Sequence, residues 1–246
     1  MDNVFVLSGL RKSYGARKAV DGVDLAVRRG EIFGLLGHNG AGKTTTIECS
    51  LGVKRADAGT ASILGLDPIR DRKRLFARVG VQFQESRYQD RLKVSEACAL
   101  TSALYPAPKD WRPLAERFGL AGKTEVFIAK LSGGERQRLS ILLALIPGPE
   151  LLFLDELTTG LDPKARREIW ACIEELKRSG VTIILTSHYM DEVERLCDRI
   201  AILREGRIVA RGTPAELMQA HGSNRLEDVF LLYLDKDGLV PEEESK

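Results

Sequence analysis

Residues 37–45 have the composition of a phosphate-binding turn, with three glycines, a lysine and two threonines. They follow the apolar run 32–36 and lead into 46–49, so the pattern predicts a strand, a turn and the start of a helix. Glycines let a backbone bend around an anion, the helix start offers unpaired N–H groups, and Lys43 adds a positive charge for nucleotide phosphates. Thr44 offers a hydroxyl group to Mg²⁺. The alternative is a glycine-rich turn that happens to contain a lysine. That alternative does not explain why a predicted strand precedes the turn and a predicted helix follows it.

Two adjacent acids end a second apolar run. Residues 151–154 are all large and apolar, and Asp155 and Glu156 follow them directly. This pattern predicts a buried strand whose acids lie at the carboxyl edge of a sheet, where open α/β folds bind ligands. Successive strand residues face opposite sides, so the two carboxylates are expected to have different roles. Asp155 suits a water-mediated contact with Mg²⁺, and Glu156 suits the base that polarises an attacking water.

Three further side chains are candidates for the same site, each with a plainer alternative. Gln84 ends a predicted strand over 79–84, where it is either solvated or within reach of Mg²⁺ or an attacking water. His188 follows the strand predicted over 181–186, where it either packs or donates to a γ-phosphate. Tyr14 is either an ordinary turn aromatic or a platform for a purine ring.

A second anion-receptive helix start is predicted at Ser132, Gly133 and Gly134, just before a helical run. Taken alone, this stretch is equally well explained as a flexible linker with an ordinary N-cap. One chain seldom needs two such sites for one nucleotide. Asp162 is predicted to cap a separate helix that begins at Pro163.

The remaining chain supplies the elements that must position these residues. Residues 4–29 alternate apolar and polar side chains, which predicts short antiparallel strands. From residue 85 to about 130, segments of helical character interrupt the strands and predict a helical insertion. Within it, Ala97, Leu100 and Leu104 have the spacing of one helix face. Further on, Thr213 opens a capping box.

The C-terminal part of the chain predicts one more helix followed by an acidic tail. Residues 225–234 place apolar side chains on one helical face, which is expected to dock on the core of the protein. Residues 241–246 are expected to fray. The residues predicted to form the docking face are Leu226, Val229, Phe230 and Tyr233.

Composition indicates a soluble globular protein with a sizeable core, because 43% of the 246 residues are hydrophobic and 29% are charged. The net charge of +2 gives no electrostatic case for nucleic acid binding. No apolar run is long enough to span a membrane, and the N-terminus lacks the pattern of a signal peptide, so a cytosolic location is expected. The four cysteines have no paired spacing and are interpreted as free core thiols.

Taken together, the motifs resemble those of an ABC transporter ATP-binding subunit over nearly the whole chain. Those that carry the resemblance, in order and spacing, are residues 37–45, Gln84, 131–137, 151–156, 160–162 and His188. The resemblance implies an α/β fold with a P-loop NTPase (RecA-like) core, an antiparallel β subdomain and an inserted helical subdomain. It also implies one ATPase domain over 1–220, with the helical subdomain at about 85–146, and a C-terminal helix and acidic tail over 221–246.

The resemblance also implies how the site is built. It implies a head-to-tail dimer in which each ATP lies between the phosphate loop of one subunit and the Ser132 to Gly134 stretch of the other. The positions implied to bind the nucleotide are Tyr14, which stacks on adenine, and Asn39, Gly40, Gly42, Lys43, Thr44, Thr45, Ser132, Gly134 and Asp162. The positions implied to hold Mg²⁺ are Thr44, Gln84 and, through water, Asp155. Glu156 is implied to be the catalytic base, with His188 and Gln84 beside it.

Two positions depart from the commonest family pattern. Glu135 stands where glutamine is usual and places a negative charge near the nucleotide of the other subunit. Leu157 replaces the usual proline after the catalytic glutamate, which is expected to loosen that loop. In contrast to these two departures, residues 226–231 resemble the C-terminal signature of ATPases that serve exporters of drugs, lipids or polysaccharides.

The function implied is ATP hydrolysis to ADP and phosphate that powers export. A multi-pass membrane permease, docked near Gln84 and the helical insertion, is the implied partner, and the second ATPase subunit is an identical chain or a paralogue. The implied location is the inner face of the cell membrane. A soluble ABC ATPase in assembly or repair is the alternative, although the long coiled coils of the repair type are absent. A phosphate-loop kinase is a third reading, but it has no use for Ser132, Gly133 and Gly134.

Overall fold

The structure is a computed structural model that describes residues 2–83, 88–89 and 91–234. Gln84 and the predicted tail at 241–246 lie outside the described residues. The strands are β1 Asn3–Tyr14, β2 Arg17–Arg28, β3 Ile32–Leu36, β4 Ala58–Ile63, β5 Val79–Gln82, β6 Leu151–Asp155, β7 Thr182–Ser187, β8 Arg199–Arg204 and β9 Arg207–Gly212. The helices are α1 Lys43–Ser50, α2 Arg72–Phe76, α3 Val94–Ala103, α4 Trp111–Arg117, α5 Gly133–Leu145, α6 Pro163–Arg178, α7 Met190–Leu196, α8 Pro214–Ala220 and α9 Leu226–Leu234.

The central sheet has six strands in the order β5-β6-β7-β3-β8-β9. Every pair in it is parallel except β8 with β9. Strands β3, β6 and β7 are buried along their whole length, as expected for parallel strands that are covered on both faces. Since these three strands are parallel neighbours, their carboxyl ends meet at one edge of the sheet. The phosphate loop follows β3, Asp155 ends β6 with Glu156 directly after it, and His188 follows β7.

A second, antiparallel sheet has the order β2-β1-β4. Its first two strands are each 12 residues long, so the predicted strands are present but longer than expected. The inward residues alternate with exposed ones, which is the pattern of a sheet with one buried face. Phe5 of this sheet packs edge-on against Phe153 of β6, with ring centroids 5.7 Å apart. The antiparallel sheet therefore packs on the central sheet, and its turn at Tyr14 lies beside the phosphate loop.

The predicted helical insertion is present as α3, α4 and α5, but the buried face of α3 is not the one that the spacing of Ala97, Leu100 and Leu104 predicted. Leu100 and Leu104 are 61% and 78% exposed, whereas Val94, Ala97 and Cys98 are buried. The buried positions have the i, i+3, i+4 spacing of one helix face. That face packs toward α5. Spacing alone could not distinguish the two stripes, since both contain apolar residues and share Ala97.

The C-terminal helix α9 confirms its predicted docking. Leu226, Val229 and Phe230 are buried, and α9 contacts α7, α8 and β8. Tyr233 is partly buried and packs against the same core, and its hydroxyl lies 2.8 Å from Nε2 of His221. The cysteines are free thiols as predicted, and burial raises the pKa of Cys98 to about 12. Within the described ranges, no helix has the length and apolar character needed to cross a bilayer.

Candidate active site

The phosphate loop joins β3 to α1, and two of its glycines are required by its backbone. Gly40 and Gly42 have φ values of 84° and 109°, in the left-handed region that favours glycine. A Cβ atom on Gly42 would also lie 2.1 Å from the carbonyl oxygen of Ala19. The turn therefore depends on a close approach of the antiparallel sheet, and only glycine at position 42 permits that approach.

Lys43 is buried within the loop that it follows. Its ammonium group donates to the carbonyl oxygen of Gly37 at 2.8 Å and to that of His38 at 3.3 Å. It also lies 3.3 Å from Oε1 of Glu156. The structure thus brings the phosphate-binding cation and the predicted catalytic base into direct contact across the carboxyl edge of the sheet.

A cavity of about 420 Å³ lies above this loop. Seven of the ten positions implied to bind the nucleotide line it: Tyr14, Asn39, Gly40, Gly42, Lys43, Thr44 and Thr45. Glu156 lines the same cavity. Ser132, Gly134 and Asp162 do not line it. The cavity therefore joins an exposed aromatic ring at one end to a lysine and backbone N–H groups at the other, which is the chemistry needed to hold a purine nucleotide.

Asp155 and Thr44 form the part of the site that fits a metal ion. The Thr44 hydroxyl donates to Oδ2 of Asp155 at 3.0 Å, and the Thr186 hydroxyl donates to Oδ1. Burial raises the pKa of the Asp155 carboxyl, while the two hydroxyl groups favour its charged form. Side-chain oxygens from a hydroxyl and a carboxylate are the ligand type that Mg²⁺ prefers. Thr44 and Asp155 therefore fit Mg²⁺, whereas the third predicted ligand, Gln84, lies outside the described residues.

Glu156 has a different environment from Asp155, but a turn and not the predicted strand alternation causes the difference, because β6 ends at Asp155. Its φ of 49° is left-handed, so the chain turns sharply where β6 ends. Its N–H group lies 3.1 Å from the carbonyl oxygen and 3.0 Å from the hydroxyl oxygen of Thr186. Nδ1 of His188 lies 3.7 Å from Oε1 of Glu156. The carboxylate therefore lies within 4 Å of two basic groups, Lys43 and His188.

Ser132 caps α5 through a capping box. Its hydroxyl accepts from the N–H of Glu135 at 3.2 Å, and the Glu135 carboxylate accepts from the N–H of Ser132 at 2.8 Å. That second bond, with a smaller contribution from Lys123, lowers the pKa of Glu135. The charge of Glu135 is thus engaged at its own helix start, which favours an acid in the first turn.

The loop after Glu156 is anchored rather than loosened. Leu157, in place of the usual proline, is buried in the main core. The neighbouring Thr158 hydroxyl donates to Glu192 at 2.9 Å, and Glu192 also accepts from the indole of Trp170 at 3.0 Å. Asp162 caps α6 as predicted, because its carboxylate accepts from the N–H groups of Lys164 and Ala165.

Three residues at the site were missed from the sequence. Arg17 lines the cavity and donates to the carbonyl oxygen of Gly40 at 2.7 Å. Thr186 contacts both acids, and the side-chain oxygen of Gln82 accepts from the N–H of Asp155 at 3.1 Å. Thr186 ends the strand predicted over 181–186, which was a usable signal, whereas Gln82 ends the observed strand β5 but not the strand predicted over 79–84. Arg17 carried no signal, since a basic residue after a turn is common.

Comparisons with known proteins agree with this geometry. The profile of the ABC transporter family matches residues 20–159. The daunorubicin resistance ATP-binding protein DrrA3 of Streptomyces coeruleorubidus is 38% identical over 234 residues, which are 93% of this chain and 74% of that protein. The Nod factor export ATP-binding protein I of Ralstonia nicotianae is 42% identical over 220 residues, covering 87% of this chain and 68% of the relative.

A solved structure described as the ATP binding subunit of an ABC transporter superposes with a TM-score of 0.83 at 28% identity. The superposition covers 93% of this chain and 98% of that one. The fold is therefore the predicted P-loop NTPase core with its antiparallel and helical additions. The chain belongs to the ABC transporter family, and it is an ATP-binding ATPase of that family.

Proposed function

We propose that the chain dimerises on ATP and that its ATP hydrolysis powers export through a separate membrane-spanning partner. The observation that carries the dimer is the position of Ser132, which starts α5 outside the cavity formed around the phosphate loop. The start of α5 is suited to binding an anion, but a nucleotide in this chain's own cavity would not reach it. It has a use if it faces the nucleotide of a second ATPase subunit. That subunit is a second copy of this chain or a paralogue.

In the proposed reaction, Glu156 accepts a proton from the water whose oxygen attacks the γ-phosphorus of ATP. The bond from that phosphorus to the β–γ bridging oxygen breaks, and ADP leaves with the bridging oxygen. Lys43 exchanges its carbonyl contacts for phosphate oxygens, and His188 donates to the γ-phosphate. The purine stacks on Tyr14. Bound Mg²⁺, with Thr44, Asp155 and Gln84 as its proposed partners, neutralises charge on the phosphate oxygens. Ser132, Gly134 and Asp162 act on the nucleotide of the other subunit.

The proposed docking site of the membrane partner is a groove of about 230 Å³ between β5, α3 and α5. Its walls include Phe76, Tyr88, Tyr105 and Leu143, so it can take an apolar segment. The groove lies where the helical insertion meets the core, which is the region predicted for docking. This geometry supports a permease partner and a location on the inner face of the membrane. The names of the relatives, drug resistance and Nod factor export, favour transport over assembly or repair.

The proposed domain organisation keeps the predicted limits, with one ATPase domain to about residue 220 and a C-terminal helix after it. The helical subdomain extends from about residue 85 to residue 146. Its described helices α3 and α4 both pack on α5.

A charge-bearing substitution at Ser132 tests the dimer. Ser132→Arg is expected to leave the ATP affinity of the monomer unchanged, because Ser132 lies outside the cavity, and to prevent the ATP-dependent dimer. The measurements are ATP titration and light scattering with ATP and Mg²⁺, with Ala99→Arg on α3 as an exposed control. An intact dimer in the Ser132 variant, or an equal loss in the control, would refute the composite site.

A further inference from the structure

Two neighbouring segments, one a loop and the other a loop that leads into α2, form a basic surface outside the nucleotide cavity, although Lys54 also lies 5.8 Å from the centre of the Tyr14 ring. We call residues 52–55 and 67–74 the basic ridge. The two segments are joined where Arg72 donates to the carbonyl oxygen of Gly52 at 3.2 Å. Six cations lie on the ridge and are exposed: Lys54, Arg55, Arg70, Arg72, Lys73 and Arg74.

The charge of the ridge is not balanced by its own acids. Its six cations and its two acids, Asp67 and Asp71, give a formal charge of +4, which the ion pair of Lys54 with Glu48 at 2.7 Å lowers to +3. The whole chain has a formal charge of +2, so the rest of the molecule is slightly acidic. Positive charge is therefore concentrated on this surface, where it favours contact with an anionic partner.

An apolar side chain projects from the centre of the ridge. Ile69 is 67% exposed, and Val53 on the adjoining loop is 46% exposed. The turn that presents Ile69 is fixed, because the Asp67 carboxylate accepts from the N–H groups of Ile69 at 2.8 Å and of Arg70 at 2.9 Å. Exposed apolar residues among lysines and arginines are typical of surfaces that bind the interface of an anionic bilayer.

The ridge also adjoins the groove proposed for the membrane partner. The Arg72 guanidinium lies 4.9 Å above the ring of Phe76, and Phe76 lines that groove. A partner held in the groove would therefore bring the ridge close to the membrane in which that partner is embedded. This step rests on the proposed function.

We propose that the basic ridge binds anionic phospholipid headgroups, with Ile69 entering the interface between headgroups and acyl chains. An acidic protein segment is the competing occupant. The lipid is favoured because an acidic segment would bind the cations but would leave Ile69 and Val53 exposed to water, whereas a bilayer interface can bury both. The contact would orient the ATPase on the membrane beside its partner.

The test uses the purified full chain and vesicles that contain no protein. Sedimentation is expected to show binding to phosphatidylcholine vesicles that contain phosphatidylglycerol, and none to pure phosphatidylcholine. Arg70→Glu combined with Lys73→Glu is expected to weaken this binding by about tenfold or more. Ile69→Ser is expected to weaken it by less. ATP hydrolysis in solution is expected to stay at the native rate in both variants, which also verifies their folding.

The matched control is Arg178→Glu combined with Arg225→Glu, which changes the net charge equally at exposed positions outside the ridge. The proposal is overturned if the native chain does not bind anionic vesicles, or if the control loses as much binding as the ridge variant. It is also overturned if the ridge variant binds vesicles normally but no longer co-isolates with a membrane protein, since the ridge then binds protein. If the native chain binds anionic vesicles but no membrane protein co-isolates with it, the lipid site is supported and the transport function is rejected.

Discussion

Glu156→Gln is expected to lower the rate of ATP hydrolysis by about 10²–10⁴-fold while ATP still binds. Glutamine has nearly the size of glutamate but cannot accept the proton of the attacking water. The substitution removes the ion pair of Glu156 with Lys43, but Lys43 keeps its bonds to the carbonyl oxygens of Gly37 and His38, so the cavity is expected to keep its shape and its nucleotide contacts. Phosphate release in a single turnover and ATP titration measure the two quantities separately.

The same variant is expected to accumulate as an ATP-bound dimer, because hydrolysis is the step that opens it. Glu116→Gln, an exposed position on α4, is the matched control and is expected to turn over at the native rate. If Glu156→Gln hydrolyses ATP as fast as the native chain, Glu156 is not the base and the proposed mechanism is wrong.

Gly42→Ala is expected to abolish nucleotide binding and to lower the free energy of unfolding by about 2 kcal/mol or more. The added Cβ would lie 2.1 Å from the carbonyl oxygen of Ala19 in a backbone conformation with φ of 109°. Relief requires either the phosphate loop or the antiparallel sheet to move. Urea unfolding and ATP titration measure the two effects.

Gly180→Ala separates the clash from the backbone strain. Gly180 has a φ of 89°, but no atom lies within 4 Å of the added Cβ. This control is expected to lose only about 1 kcal/mol of stability and to bind ATP normally. An equal loss in both variants would mean that the close approach to Ala19 has no part in shaping the loop.

The sequence predicted the elements whose signals are local. The buried strand before Asp155, the N-cap at Asp162 and the capping box at Thr213 were all confirmed, because burial of uniform apolar runs and capping bonds depend on neighbouring residues. The spacing of Leu100 and Leu104 predicted a packed face of α3, but both side chains are exposed. The helix has two apolar stripes, and only packing against the rest of the protein decides which of them is buried.

Eight of the residues that line the cavity were predicted from the sequence, but their contacts were not. The convergence of Lys43 and Glu156 follows from the rule that ligands bind at the carboxyl ends of parallel strands. The bond from Arg17 to Gly40 and the bonds of Thr186 to both acids join separate elements, and no spacing in the sequence encodes them. The negative charge of Glu135 near the nucleotide of the other subunit stays a prediction, while its bond to the N–H of Ser132, which was not predicted from the sequence, gives it a role within its own helix.

The central claim is that ATP-driven closure of a dimer acts on a membrane protein. Its most direct test is to isolate the tagged Glu156→Gln variant from gently solubilised cells with ATP and Mg²⁺ and to identify the proteins that accompany it. A multi-pass membrane protein in near-equal amount is the expected result, and its identity would indicate the class of exported compound. A soluble partner recovered reproducibly, with no membrane protein even after crosslinking, would contradict the transport function and favour a role in assembly or repair.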